Sequence, residues 1–311
     1  MSLIINRRNF FSKTAISAAG LVLGSNMQGF GSESEEQPRS SSYNIMKEVM
    51  KYRKIDTHVH ALLGPSVTPE LLIDFADRLG VEKLFISRPV TKDTATPQNI
   101  KDSNDMMLKI VKQYPDRFKA QFTLNVQYQK ESLEELKRCV DQGMVGLKVY
   151  YQVKINDPLF YPIIEKMIDL KMITLMHSYI GLGRSSYRTK YGNLFPNEST
   201  PMDFVDVAKR YPEAMLQFAH TGGGGDWEFE CKCLQDYPNI YVDVSGSNNE
   251  ENMMNYALKY LGEDRLFFAS DNSYYQSVSK ILSADLTETQ RKKIFFDNYN
   301  NMLRKGGYNV A

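Results

Sequence analysis

From residue 54 onward, short runs of β-branched and aromatic residues alternate with stretches whose apolar residues recur three and four positions apart. The first kind reads as buried strands and the second as amphipathic helices. Strands are expected at 54–60, 83–87, 119–124, 146–150, 173–177, 215–220, 240–244 and 266–270. Helical patterns fall between them at 69–79, 99–114, 132–142, 158–170, 201–211 and 250–261, and 287–305 reads as a closing helix. Pro69, Pro158 and Pro201 stand near helix starts, where the missing N–H costs little. Gly80, Gly143 and Gly262 stand near helix ends, as capping residues do. Eight strand–helix units in about 250 residues predict an α/β fold, a single-domain (β/α)8 TIM barrel. The alternative is an open doubly wound sheet. That fold puts a Gly-rich phosphate turn after its first strand, whereas here the first strand ends in His58-Val59-His60.

The first residues follow another pattern. Arg7-Arg8-Asn9-Phe10-Phe11-Ser12-Lys13 precedes a short apolar run, 14–23, broken by Gly20 and serines. The run is too short for a stable bilayer anchor. A basic start followed by a short apolar region has the form of an export signal, and the paired arginines resemble a twin-arginine signal, which implies export of a folded protein to the periplasm. A basic tail without that role is the competing reading. The expected organisation is a signal over 1–31, a polar linker over 32–50 and the barrel over 51–311.

Composition narrows the partners. Of 311 residues, 42% are hydrophobic and 24% charged, enough apolar material for one large core. The formal net charge is +1 and the isoelectric point about 7.6, so nothing draws the whole protein onto nucleic acid or an anionic membrane. A small-molecule substrate is expected, and a homo-oligomer remains open. Cys139, Cys231 and Cys233 are too few for a disulfide framework. Cys231 and Cys233 stand two apart in a helical pattern, where side chains diverge.

The candidate chemistry lies in the histidines. There are four, and each closes an expected strand: His58 and His60 the first, His177 the fifth, His220 the sixth. Asp271 follows the eighth. The C-terminal ends of the strands form the active-site face of an α/β barrel. Alternation along Ile55-Asp56-Thr57-His58-Val59-His60 predicts Asp56, His58 and His60 on the inner face and Ile55, Thr57 and Val59 on the helix-facing side. Two imidazoles at i and i+2 on one strand can chelate one ion.

Taken together, Asp56-Thr57-His58-Val59-His60, Gly146-Leu147-Lys148, His177, His220-Thr221-Gly222-Gly223, Ser270-Asp271 and Asn298-Tyr299-Asn300-Asn301 resemble the amidohydrolase superfamily, most closely its amidohydrolase-related branch of small hydrolases and decarboxylases. The resemblance covers about residues 54–304. It implies a divalent metal held by His58, His60, His177 and Asp271. Zinc suits imidazole and carboxylate ligands, with manganese, iron and cobalt as alternatives. Such an ion lowers the pKa of bound water to roughly 7. Asp271 would then also move a proton, His220 would stabilise a developing oxyanion, and Asp56 would fix the tautomer of a strand-one histidine. Lys148 joins the ligands if the site holds two ions; a single ion leaves it unmodified. A His-Pro turn common after this lysine in relatives is replaced here by Tyr150-Tyr151.

Rim loops should contact substrate. The candidates are Arg88, Tyr150, Tyr179, Arg184 and Trp227. Guanidinium groups near a metal suit a carboxylate-bearing substrate. The glycine run 222–225 would either bind an anion at a helix start or simply let the loop turn. The expected activity is hydrolysis of an amide, ester or lactone of a small substrate. Two alternatives stand: non-oxidative decarboxylation of an unsaturated acid on the same metal site, and metal binding without catalysis.

Overall fold

The computed structural model describes residues 44–62, 64, 67–178, 196–221, 227–246 and 252–310. The expected signal and most of the expected linker lie outside them. The last linker residues form a short helix, α1 (Ile45–Met50), with Val49 buried. Eight parallel strands follow: β1 (Lys54–His60), β2 (Val81–Ser87), β3 (Phe118–Ala120), β4 (Leu147–Val149), β5 (Ile173–Met176), β6 (Met215–Phe218), β7 (Ile240–Asp243) and β8 (Leu266–Phe267). They pair in sequence order as β1-β2-β3 and β4 through β8. Two seams close the ring. Phe122 N donates to Gly146 O (3.0 Å) and Lys148 N to Phe122 O (2.8 Å), joining β3 to β4. Thr57 N donates to Phe268 O (3.2 Å) and Asp271 N to His58 O (2.8 Å), joining β8 to β1. The alternative open sheet is thereby excluded.

Helices α2 (Pro69–Leu79), α3 (Pro97–Gln113), α4 (Gln129–Asp141), α5 (Tyr161–Asp169), α6 (Pro201–Arg210), α7 (Trp227–Leu234), α8 (Met253–Leu261) and α9 (Tyr274–Ser283) alternate with the strands. Three of them start at a Thr-Pro pair. Thr68 and Thr96 accept the backbone N–H of Leu71 and Asn99 (both 3.3 Å), and Asp203 accepts that of Thr200 (2.8 Å). Each satisfies a donor that the helix start leaves free. Gly80 ends α2 at φ 67°, where its N–H reaches Ala76 O and Asp77 O. The expected closing helix is continuous from α10 (Glu288–Lys292) through a π-helical turn (Lys293–Asp297) into α11 (Asn298–Lys305). Within the turn, Ile294 O accepts the N–H of Phe268, which β8 does not pair.

The barrel interior is layered. At the N-terminal end of the strands, Ile55, Phe85, Ile173, Met215, Tyr241 and Phe267 form one apolar cluster with Tyr299, Met302 and Leu303 of α11. Above it lie polar side chains: Gln217 Nε2 donates to Thr57 Oγ1 (3.3 Å), and Gln121 Nε2 to Thr57 O (3.3 Å). Val59, Leu84 and Ile86 belong instead to the larger cluster facing the helices.

This corrects the expected facing of β1. Asp56 pairs with Leu84 and Val59 with Ile86, so β1 carries one extra residue between them. A bulge of this kind turns two successive residues to the same side. Ile55, Thr57, His58 and His60 therefore point inward, while Asp56 shares the outer side with Val59.

Candidate active site

The bulge delivers two imidazoles to one point at the C-terminal mouth of the barrel. His58 Nε2 and His60 Nε2 are 3.1 Å apart. The carboxylate of Asp271, just past β8, completes a trio: Oδ1 lies 3.1 Å from His60 Nε2 and 3.6 Å from His58 Nε2. Asp271 has φ 44°, a left-handed conformation that aims its side chain back over β1. His220, after β6, approaches the other oxygen, with Nδ1 3.6 Å from Asp271 Oδ2.

Outer partners fix the tautomers. His58 Nδ1 is 3.2 Å from Asp243 Oδ2, and His60 Nδ1 is 3.2 Å from Ser87 Oγ. A carboxylate accepts only, so His58 carries its proton on Nδ1 and presents a lone pair at Nε2. Ser87 allows His60 to do the same. Two lone pairs facing each other at 3.1 Å beside a carboxylate oxygen repel unless a cation lies between them. The donor set thus fits a divalent ion.

Charge around the trio is strongly perturbed. Burial pushes the pKa of His60 down to about 4, outweighing the charge of the Asp271 carboxylate beside it. Burial also lowers His177 and His220. Burial opposes ionisation of Asp271, but His58, His60 and His220 outweigh it and hold this carboxyl well below the usual range.

A second carboxylate, Asp243 at the end of β7, is wrapped by donors. Oδ2 faces His58 Nδ1 and Gln217 Nε2 (3.0 Å); Oδ1 accepts from His220 N (3.1 Å), Ser245 N (3.2 Å) and Ser245 Oγ (2.6 Å). These bonds consume the lone pairs a metal would need. Although Asp243, His58 and His220 are close enough to hold an ion, Asp243 is therefore an anchor for His58. Sequence reasoning missed it, and its signal was the same one that marked the histidines: a ligand-type side chain at the end of an apolar strand. The tautomer-fixing role expected of Asp56 falls to Asp243. Asp56 Oδ1 instead accepts the backbone N–H of Ser270 (2.9 Å) and His58 (3.3 Å), and burial pushes its pKa up to about 7.

His177 lies next to His220, with Nδ1 3.1 Å from His220 Nε2, while its Nε2 is 3.0 Å from Glu198 Oε1. Both ring nitrogens thus face partners outside the His58–His60–Asp271 trio. Tyr150 is buried against the site, its hydroxyl 3.5 Å from His60 Nδ1. Lys148 points inward and is fully buried; its Nζ lies 4.9 Å from the Tyr150 ring centre and has no hydrogen-bond partner among the described residues. Burial brings its pKa down to about 8.

Two expected substrate contacts lie elsewhere. Trp227 is buried in the helix-facing core, its ring 5.1 Å from Tyr256 of α8, because its place at the start of α7 turns it toward the neighbouring helix. Arg88 rests its guanidinium on Met106 of α3, 3.0 Å from the sulfur. Tyr179, Arg184 and the glycine run 222–225 lie outside the described residues.

Comparison with known proteins agrees with this architecture. A 2-amino-3-carboxymuconate-6-semialdehyde decarboxylase from Dictyostelium discoideum is 27% identical over 181 residues, 53% of this chain and 50% of that protein, so the match spans half the length of that relative. The solved 2,6-dihydroxybenzoate decarboxylase from Rhizobium superposes with a TM-score of 0.66 at 17% identity, covering 82% of this chain and 98% of that one. A dihydroxybenzoic acid decarboxylase from a Polaromonas species, solved with bound manganese, gives 0.66 at 18% identity, covering 81% and 97%. The 5-carboxyvanillate decarboxylase from Sphingomonas paucimobilis gives 0.63 at 16%, covering 81% and 99%. At these identities the solved structures establish the fold, a TIM-barrel-like amidohydrolase barrel. The amidohydrolase family profile matches residues 55–299, and the chain belongs to that family.

Proposed function

We propose that the protein is a metal-dependent, non-oxidative decarboxylase of a small unsaturated or aromatic acid. The observation that carries this is the Asp271 carboxylate, 3.1 Å from His60, with His58 and His220 each 3.6 Å away. The named activity of the Dictyostelium relative supports decarboxylation over the hydrolysis expected from the sequence. His58, His60 and Asp271 would hold one divalent ion; His177 is proposed as a fourth ligand, for which one ring nitrogen would exchange its present partner, His220 or Glu198, for the ion. A bound ion would supply a Lewis acid that draws electron density from a substrate oxygen. Zinc, manganese, iron and cobalt all suit this set.

Loss of carbon dioxide breaks a C–C bond and leaves its electron pair on carbon, which must gain a proton. Asp271 is ionised in the resting protein, so it first takes a proton from substrate or solvent and then delivers it to that carbon. His220 donates to the substrate oxygen that gathers charge. Hydrolysis is the second reading, favoured by the position of the Asp271 carboxylate beside His58 and His60, where it could take a proton from a water held at the same point.

The test pairs two assays on metal-loaded protein, carbon dioxide release from hydroxybenzoates and unsaturated acids, and titratable acid from lactones, esters and amides. Release of carbon dioxide supports the first reading; acid alone supports the second; neither, with bound ion present, leaves metal binding without catalysis. Asp271→Asn should cut the active assay at least about 10³-fold, within the range for removing a positioned proton-transfer group. Folded export through residues 1–31 is a separate proposal, and a reporter fused after residue 45 that stays in the cytoplasm would refute it.

A further inference from the structure

Beyond its proposed ligands, the site holds a two-point clamp that nothing above uses. The β8 ladder to β1 ends early, because Asp271 and Asn272 take left-handed backbones at φ 44° and 64°. A chain in that conformation cannot offer the next rungs of a parallel ladder. The Asn272 side chain offers them instead. Its Oδ1 accepts the N–H of His60 (2.9 Å), and its Nδ2 donates to His60 O (2.8 Å). One amide side chain thus replaces the donor and acceptor of a missing strand residue. Its own N–H is held by Ser270 Oγ at 3.1 Å.

The position matters because of what lies on either side. Asp271 precedes Asn272 and its carboxylate meets His60 Nε2 at 3.1 Å. His60 is therefore gripped at its backbone by Asn272 and met at its ring by Asp271. Serine, glycine or aspartate could sit beside Asp271 as readily on the surface of a turn. Only asparagine combines tolerance of a left-handed φ with an amide of this length.

We infer that Asn272 is a positioning residue that sets the separation of His60 and Asp271 and thereby the affinity of the site for a divalent cation. This rests on the metal-site reading above. Glycine at 272 keeps the backbone φ without strain and deletes both bonds to His60, so it separates the clamp from backbone fit.

The experiment titrates metal-free protein with Mn²⁺ by calorimetry, for the native chain, Asn272→Gly and Asn272→Ser, with thermal melting of each metal-free form. Asn272→Gly should bind Mn²⁺ about ten-fold or more weakly, the lower end of the effect of losing a partner behind a ligand, while its metal-free form still melts cooperatively, somewhat below the native chain because two hydrogen bonds to His60 are gone. Asn272→Ser, uncharged and too short to span both bonds, should weaken binding likewise, and it carries the test if the glycine variant does not fold. Affinity within two-fold of native in the folded variants overturns the inference. If the native chain binds neither Mn²⁺ nor Zn²⁺, iron or cobalt, the metal reading fails by itself, and the clamp is then judged by hydrogen exchange at the His60 amide in metal-free protein. Exchange about ten-fold faster or more in the variant upholds the clamp, and unchanged exchange removes it.

Discussion

A carboxylate whose two oxygens already meet five donors has little left for a metal and much to offer as an anchor, and Asp243 is in that position. It holds the His58 ring and, through His220 N and Ser245, the end of β6 as well. Asp243→Asn keeps the volume but replaces one acceptor by a donor, so either His58 Nδ1 or the N–H groups of His220 and Ser245 must face an NH2 in place of an oxygen, and the hold on the His58 ring is weakened. Metal affinity should fall about 10–100-fold, read by titration of metal-free protein; an unchanged affinity would show that the tautomer is set elsewhere. His58, His60, His220 and Asp271 were legible because each is a ligand-type side chain at the end of an apolar run, a purely local pattern. Asp243 obeyed the same rule and could have been found by it. Asp56 was misread for a reason no local pattern reveals. The extra residue in β1 is fixed by how Asp56 and Val59 pair with β2, so strict alternation placed Asp56 on the wrong side.

At the level of elements, the barrel depends on a plug that comes from the far end of the chain. Tyr299 of α11 packs edge-on against Phe85 and Phe267, with ring centres 4.8 and 5.1 Å away, and its hydroxyl lies 3.4 Å from Gln121 Nε2. It joins β2, β3 and β8 across the N-terminal end of the barrel. Tyr299→Ala should cost about 3–5 kcal/mol, the range for emptying a buried aromatic site, measured as a lower denaturant midpoint with an unchanged slope. A loss under about 1 kcal/mol would mean that the end of the barrel closes without it. The sequence placed all eight strands and the closing helix, because hydrophobic period is local. It overran the ends of β3, β6 and β8, since strand length is set by which neighbour supplies hydrogen bonds. It also left α9 unmarked and put Trp227 among the rim contacts. An aromatic residue at a loop–helix junction has the same local pattern whether it faces pocket or neighbouring helix; only the position of Tyr256 decides it.

Across the whole molecule, the two ends of the barrel are stabilised by different means. The N-terminal end is filled by apolar side chains and α11. The C-terminal end is filled by polar groups, among them two facing imidazole lone pairs at 3.1 Å that repel without a cation between them, beside the Asp271 carboxylate. A divalent ion that binds only the folded ring of ligands stabilises the fold by mass action, about 2.7 kcal/mol when free ion exceeds its dissociation constant a hundredfold. For a barrel of this size each kcal/mol moves the melting temperature by about 2–4 °C, so saturating Mn²⁺ or Zn²⁺ should raise it by about 5–11 °C over chelator-treated protein. The double variant His58→Ala/His60→Ala removes the repulsion and the ligands together. Its metal-free form should melt close to the native metal-free form, and added ion should leave it unchanged. Calorimetric melts of both proteins with and without chelator make the comparison. An equal rise in the double variant would locate the stabilising ion away from β1, and with it the chemistry assigned to this end of the barrel.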